Sequence, residues 1–159
     1  MKGFLVSLIS LWIGAILQLA LPDRMAILGA RPDFLLTFSL CLGLYLSGYG
    51  AVMTGFFAGA IQASLFGAFL GPLVFSRMAA NYLMARIESL DIEIGPLLGT
   101  LVVGLGSLIC SIFYLFVVPP PAIGPYLTTS VSSALYNCII ALPILAVLRR
   151  LLSVKSSGV

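Results

Sequence analysis

All five acidic residues, Asp23, Asp33, Glu88, Asp91 and Glu93, fall between apolar runs, and none lies deep inside one. No other feature restricts the fold as much, because an uninterrupted run of about 20 apolar residues is what crosses a bilayer. Hydrophobic residues make up 61% of the chain and charged residues only 8%. A soluble domain is about one quarter charged. With a mean hydropathy of +1.19, the chain reads as an all-α integral membrane protein. Its 159 residues leave room for roughly one domain, a single transmembrane bundle over 1–152.

The apolar blocks are Phe4–Leu21, Phe34–Leu46, Ala51–Leu70, Leu73–Ile87, Leu97–Val118 and Val131–Leu148. The first, third, fifth and sixth are long enough to span; the second and fourth are short. Phe34 through Leu70 would exceed about 50 Å as one helix, so Ser47-Gly48-Tyr49-Gly50 is the expected break. Gly71-Pro72 reads as a helix stop and restart. The result is a six-helix transmembrane bundle with spans at about 4–21, 34–46, 51–70, 73–87, 97–118 and 131–148. The first run lacks an A-x-A cleavage site and exceeds the 7–15 residues of a signal-peptide core, so it reads as a retained span.

Six spans place both termini on one side, and the positive-inside count makes that side cytoplasmic. Lys2, Arg86, Arg149, Arg150 and Lys155 then lie inside, and Arg24, Arg31 and Arg77 outside. The outer connections are PDRMAILGARPD, the Gly71-Pro72 corner and PPPAIGPYLTT, the last expected to be stiff and extended. Residues 153–159 are expected to be a disordered cytoplasmic tail.

Within the third block, Ala51, Gly55, Gly59, Ala63 and Gly67 repeat a small side chain every fourth residue. Residues four apart stack on nearly one helix face. In lipid, close backbone approach through small residues is a principal adhesive between helices. The stripe therefore marks a helix-packing or partner interface. Each step of four drifts about 40°, so one neighbour is expected along Ala51–Gly59 and another along Gly59–Gly67. Gly71 reads as the helix stop.

Intramembrane polar residues are the default functional candidates, here Gln18, Gln62, Arg77, Asn81 and Asn137. Arg77 and Asn81 lie one turn apart and share a face. They form either a small polar pocket, with Tyr82 as its aromatic wall, or a pair in which Arg77 snorkels to the interface while Asn81 bonds a neighbouring helix. The second reading is favoured, because Arg77 has no acid at similar depth in the sequence.

Catalytic chemistry finds little to use. The chain has no histidine, and its three cysteines, Cys41, Cys110 and Cys138, sit in apolar runs without CxxC spacing. The serines have no His, Lys or Asp at matching depth to activate them. No cofactor or metal is expected, and the scattered basic residues make no nucleic-acid footprint.

Three segments together resemble the rod shape-determining protein MreD family. One is Arg31-Pro32-Asp33 before a Leu/Phe-rich span, where Asp33 is placed to cap the helix. The second is GFFAGAIQASLFGAFLGPLVFSRMAANYLMARI, with Gly55, Gly59, Gly67 and Gly71 matching the family's Gly-rich block. The third is ALYNCIIALPILAVLRRLL, with Asn137, Pro143, Arg149 and Arg150. Many family members carry an Asp near the positions held here by Gln62 and Ala63. The resemblance implies a non-enzymatic scaffold of the bacterial cell-elongation machinery (the elongasome) in the cytoplasmic membrane. Its implied partners are a single-span MreC-type protein and, through it, the peptidoglycan polymerase and transpeptidase pair and the MreB filament. In fold the family resembles the substrate-binding subunits of energy-coupling-factor vitamin transporters, so vitamin binding is the alternative function.

Overall fold

The elements run α1 (Lys2–Ala20), α2 (Phe34–Gly43), α3 (Gly48–Phe66), α4 (Leu70–Glu88), α5 (Pro96–Val117) and α6 (Ile123–Leu152). The structure, a computed structural model, describes residues 2–20, 31–88 and 95–152. The expected first outer connection, the acids Asp91 and Glu93, and the expected tail at 153–159 lie outside the described residues. Three helices are long and apolar enough to cross a membrane, Gly48–Phe66, Pro96–Val117 and Ile123–Leu151, and two shorter stretches, Leu5–Ala20 and Phe34–Gly43, are apolar as well. The chain is an all-α membrane protein with several candidate transmembrane helices.

The distribution of polarity fits lipid rather than water. Phe116 is 80% exposed, and Leu97, Leu101, Leu105, Leu135 and Ile139 also face outward. Arg77, Asn81, Asn137, Ser39 and Thr37 are buried. A soluble domain rarely exposes apolar side chains over so continuous a surface.

The short helix α2 is the axis of the bundle. It is apolar on all sides, the pattern of a helix enclosed by others, and it touches each of the five other helices. Leu36, Leu40, Leu42 and Leu44 pack with Met84 of α4, Val103 of α5 and Leu145 and Leu148 of α6. Its 10 residues rise about 15 Å, half of a hydrocarbon core of about 30 Å. In lipid this burial gains little from water exclusion, so the stabilisation is van der Waals packing and interhelical hydrogen bonding.

Three helix boundaries correct the sequence reading. Helix α3 stops at Phe66, with Gly67 in the left-handed region at φ 62°. Gly67 is thus the C-terminal cap that glycine favours, and no heavy atom lies within 4 Å of where its Cβ would be. It is not a rung of the packing stripe. Gly71 is not the stop either: Gly71 and Pro72 lie in the first turn of α4, where the missing proline N–H has no intrahelical acceptor to lose. Finally, α6 begins at Ile123 rather than near Val131, so only the start of the proline-rich connection is extended. Pro125 falls in that first turn, and the Tyr126 hydroxyl donates to the Ser111 carbonyl at 2.7 Å, tying the early start of α6 to α5.

Candidate functional site

The site is built outward from the start of α2. A helix leaves its first four N–H groups without intrahelical partners. Here Asp33 occupies the N-cap, and its Oδ1 accepts from Leu36 N at 2.9 Å. The Phe34 N–H donates to Gln18 Oε1 of α1 at 2.7 Å, and Gln18 Nε2 donates to the Pro32 carbonyl at 3.2 Å. The Asp33 N–H donates to Asn137 Oδ1 of α6 at 3.0 Å. Side chains from two other helices thus finish the cap of α2. Arg31 supplies its carbonyl to the Ser133 hydroxyl at 3.0 Å.

The second oxygen of Asp33 points the other way. Asp33 Oδ2 accepts from Arg77 Nη2 of α4 at 2.5 Å and from Gln62 Nε2 of α3 at 3.2 Å. This overturns the expectation that Arg77 snorkels without an acid partner. Arg77 is 2% exposed. It lies seven residues past the start of α4, about 10 Å along the helix. Asn137 lies fourteen residues past the start of α6, so Asp33 is carried inside the bundle. An acid that borders an apolar run in sequence therefore sits at the depth of Arg77 in space.

Small residues make this approach possible. A Cβ on Gly55 would lie 2.7 Å from the Arg77 carbonyl oxygen, and one on Gly59 would lie 2.7 Å from Val74 Cα. Real Cβ atoms do not come that close to backbone, so α3 and α4 meet backbone to backbone at these two glycines. The adjoining flank of α3 carries Ala58, which packs with Leu11 and Ala15 of α1 and Leu35 of α2. Ala51 and Ala63 are buried. The two faces of α3 are thus set by Gly55/Gly59 and by Ala58, not by successive lengths of one stripe.

Asn81, one turn below Arg77, donates from Nδ2 to the Arg77 carbonyl at 2.9 Å and to Ser39 Oγ of α2 at 3.3 Å. Asn137 Nδ2 donates to Ser107 Oγ of α5 at 2.8 Å. The five polar candidates Gln18, Gln62, Arg77, Asn81 and Asn137 therefore join α2 and its cap to α1, α3, α4 and α6, and Asn137 carries the link on to α5. Sequence reasoning missed the hub: it assigned Asp33 only as a cap. The available signal was that Asp33 abuts Phe34 directly, with no loop residue between the acid and the apolar run.

Beside the ion pair lies a cavity of about 140 Å³. Asp33, Gln62, Ser76, Arg77, Tyr114 and Tyr126 contribute to its wall. The aromatic groups come from α5 and α6; Tyr82, the aromatic expected here, instead accepts from Arg86 Nε at 3.0 Å on the exposed side of α4. Three buried atoms have no hydrogen-bond partner among the described residues: Gln62 Oε1, Arg77 Nη1 and Asn81 Oδ1. The cysteines are free thiols, and among the described residues no group of three or more His, Cys, Asp or Glu is placed to hold a metal ion.

The arrangement offers a charge pair beside a small polar cavity, with a guanidinium nitrogen and an amide oxygen buried without partners among the described residues. Comparison with protein-family models, curated proteins and solved structures finds no match to the chain.

Proposed function

We propose that the chain is a six-span, non-enzymatic scaffold of the bacterial cell-elongation machinery, of the MreD kind, in the cytoplasmic membrane with both termini inside. One observation carries the reading. The three segments on which the resemblance rests meet at one point: Asp33 from the Arg-Pro-Asp entry, Gln62 and Arg77 from the Gly-rich block, and Asn137 from the last helix. Segments that share a joint are expected to persist together, and the joint holds one arrangement of helices on which a partner docks. In this reading the partner is an MreC-type single-span protein, which connects the bundle to peptidoglycan synthesis and cell shape.

Co-expression with an MreC-type protein and purification in mild detergent is the test. A stable complex that survives size exclusion is expected. Failure to associate, with both proteins well expressed and the bundle monodisperse, would sink the proposal.

The alternative, a vitamin-binding transporter subunit, is favoured by one feature, the polar and aromatic cavity at Arg77. Its volume of about 140 Å³ weighs against it, because ligand pockets for molecules of that size run to about 300–1,000 Å³. A thermal-shift screen with vitamins separates the two readings. A strong specific shift would favour transport.

A further inference from the structure

Helix α1 carries one buried hydroxyl with nothing to bond. Ser10 is 8% exposed, and it neither donates to nor accepts from any described residue. Every other buried hydroxyl among the described residues, from Ser7 of the same helix to Ser107 of α5, holds a hydrogen bond. A helical serine commonly turns back to the carbonyl four residues earlier, as Ser7 does with Gly3 at 2.9 Å. The enclosed atoms without a partner are Gln62 Oε1, Arg77 Nη1 and Asn81 Oδ1. Ser10 Oγ is not one of them, so it keeps accessible surface. The surface that Ser10 lines is a groove of about 500 Å³ between α1 and α6, where it is the one polar side chain among the described residues.

Val6, Ile9 and Ile13 form one wall of the groove, the stretch from Pro143 to Leu151 forms the other, and Phe38 of α2 lies between them. Its length along α1 is about 10 Å, or roughly two helical turns. In the six-span reading, the 19 residues of α1 rise about 28 Å, close to a hydrocarbon core of about 30 Å. Ser10 stands eight residues past the start of α1, about 12 Å in and near mid-membrane. An acyl chain has no acceptor at that depth, because lipid oxygens lie outside the hydrocarbon core. A water needs about two to four polar partners, and the groove offers one. The outward hydroxyls of a second copy do not stand there either. Tyr49 is at the start of α3, Ser64 is near its end, Thr128 and Thr129 are near the start of α6, and Tyr82 already accepts from Arg86.

We infer that this groove seats a transmembrane helix of another protein, apolar along the seat and carrying one side chain (Ser, Thr, Asn or Gln) that accepts from Ser10 Oγ. Hydrogen bonds of this kind join helices in lipid, where apolar surface alone does not. Helices α1 and α6 both pack on α2, so the two walls of the seat are held apart by the bundle itself. A helix lying there touches α1 and α6 together and covers the open side of α1. That this helix belongs to an MreC-type protein rests on the scaffold reading; the groove and its donor do not.

The chain is co-expressed with an MreC-type single-span protein whose helix carries cysteines one at a time, and the pair is oxidised in mild detergent. Ile9→Cys and Val147→Cys, on the two walls, are expected to cross-link to the partner helix. Leu105→Cys, exposed on α5, is expected not to. The wild-type chain is the blank for its own cysteines. Ser10→Ala is expected to weaken association about five-fold while leaving the thermal stability of the chain alone unchanged, since Ser10 bonds to nothing within it. Val147→Trp fills the groove and is expected to abolish association. No complex with the wild-type chain would overturn this inference and the scaffold reading together. A complex that cross-links at Leu105 and not at the two walls, or that is indifferent to Ser10→Ala and Val147→Trp, would overturn this inference alone. Cross-linking of Ile9→Cys only to a second copy of the chain would do the same.

Discussion

The α3–α4 joint and helix α1 are built in opposite ways. At the joint, two glycines bring backbone to within 2.7 Å of where a Cβ would sit, and the partly buried ion pair of Arg77 and Asp33 lies just beyond them. Around α1 the packing is open: grooves of about 320, 420 and 500 Å³ flank it, lined largely by its own residues and those of α3 and α6. Trp12, in the middle of α1, is 62% exposed. What holds α1 is Leu11 and Ala15, buried against Leu35 and Ala58, Gly14, which lies against Phe38 and the backbone of α2, and Gln18, which caps α2. The lesson is about specificity. In lipid no hydrophobic drive pulls helices together, so α1 relies on a short stretch of close packing and one polar contact, whereas α4 is positioned by sterics and charge together.

The sharpest way to break this contrast is Arg77→Ala. It leaves the Asp33 carboxylate without its cation; breaking a fully buried pair costs about 3–5 kcal/mol, and the partial exposure of Asp33 places this loss at or below the low end. A large loss of thermal stability in detergent is expected, and Asp33→Ala should behave alike. The double variant Asp33→Leu/Arg77→Met should be less damaged than either single one, since apolar replacement of both partners is often neutral or stabilising. A double variant worse than both singles would show that the pair does more than satisfy itself.

Gly59→Leu comes next. It drives a side chain into the Val74 backbone, and overpacking costs about 1–3 kcal/mol, occasionally more. Loss of a monodisperse peak in size exclusion is the expected readout. Gln18→Ala should cost about 0.5–1.5 kcal/mol per hydrogen bond lost, and amide exchange at Phe34 should rise before global unfolding does. Tolerance at Gln18 equal to that of Trp12→Ala would dissolve the contrast drawn for α1. The smallest effect is assigned to Gly71→Leu, because no heavy atom lies within 4 Å of its would-be Cβ and exposed substitutions stay within about 0.5 kcal/mol. Equal damage from Gly59→Leu and Gly71→Leu would remove the steric account of the joint.

Much of the architecture was readable in the sequence because lipid imposes long apolar runs, and their number and order follow directly from the blocks. Helix ends were less readable. Gly67 and Gly71 present the same residue type, and only the left-handed φ of Gly67 separates a stop from a first turn. The proline-rich connection misled for the converse reason. Pro125 is compatible with an extended chain and with a first helical turn, and the choice rests on the contact of Tyr126 with Ser111, a residue 15 positions away. The individual polar candidates were visible, but their convergence was not. Asp33 and Arg77 stand 44 positions apart, and their common depth depends on where α2 begins within the bundle, which no local pattern encodes.

The long reach of the α2 cap has a consequence for biosynthesis. Asp33 N and its acceptor on Asn137 are separated by 104 positions. At about 5–20 residues per second, the ribosome needs roughly 5–20 s between making the two. Throughout that interval α2 exists with its cap incomplete, and its 10 residues are too few to hold it across a bilayer alone. The arrival of α6 therefore completes the start of α2, so a helix made early waits on one made more than a hundred residues later for its cap.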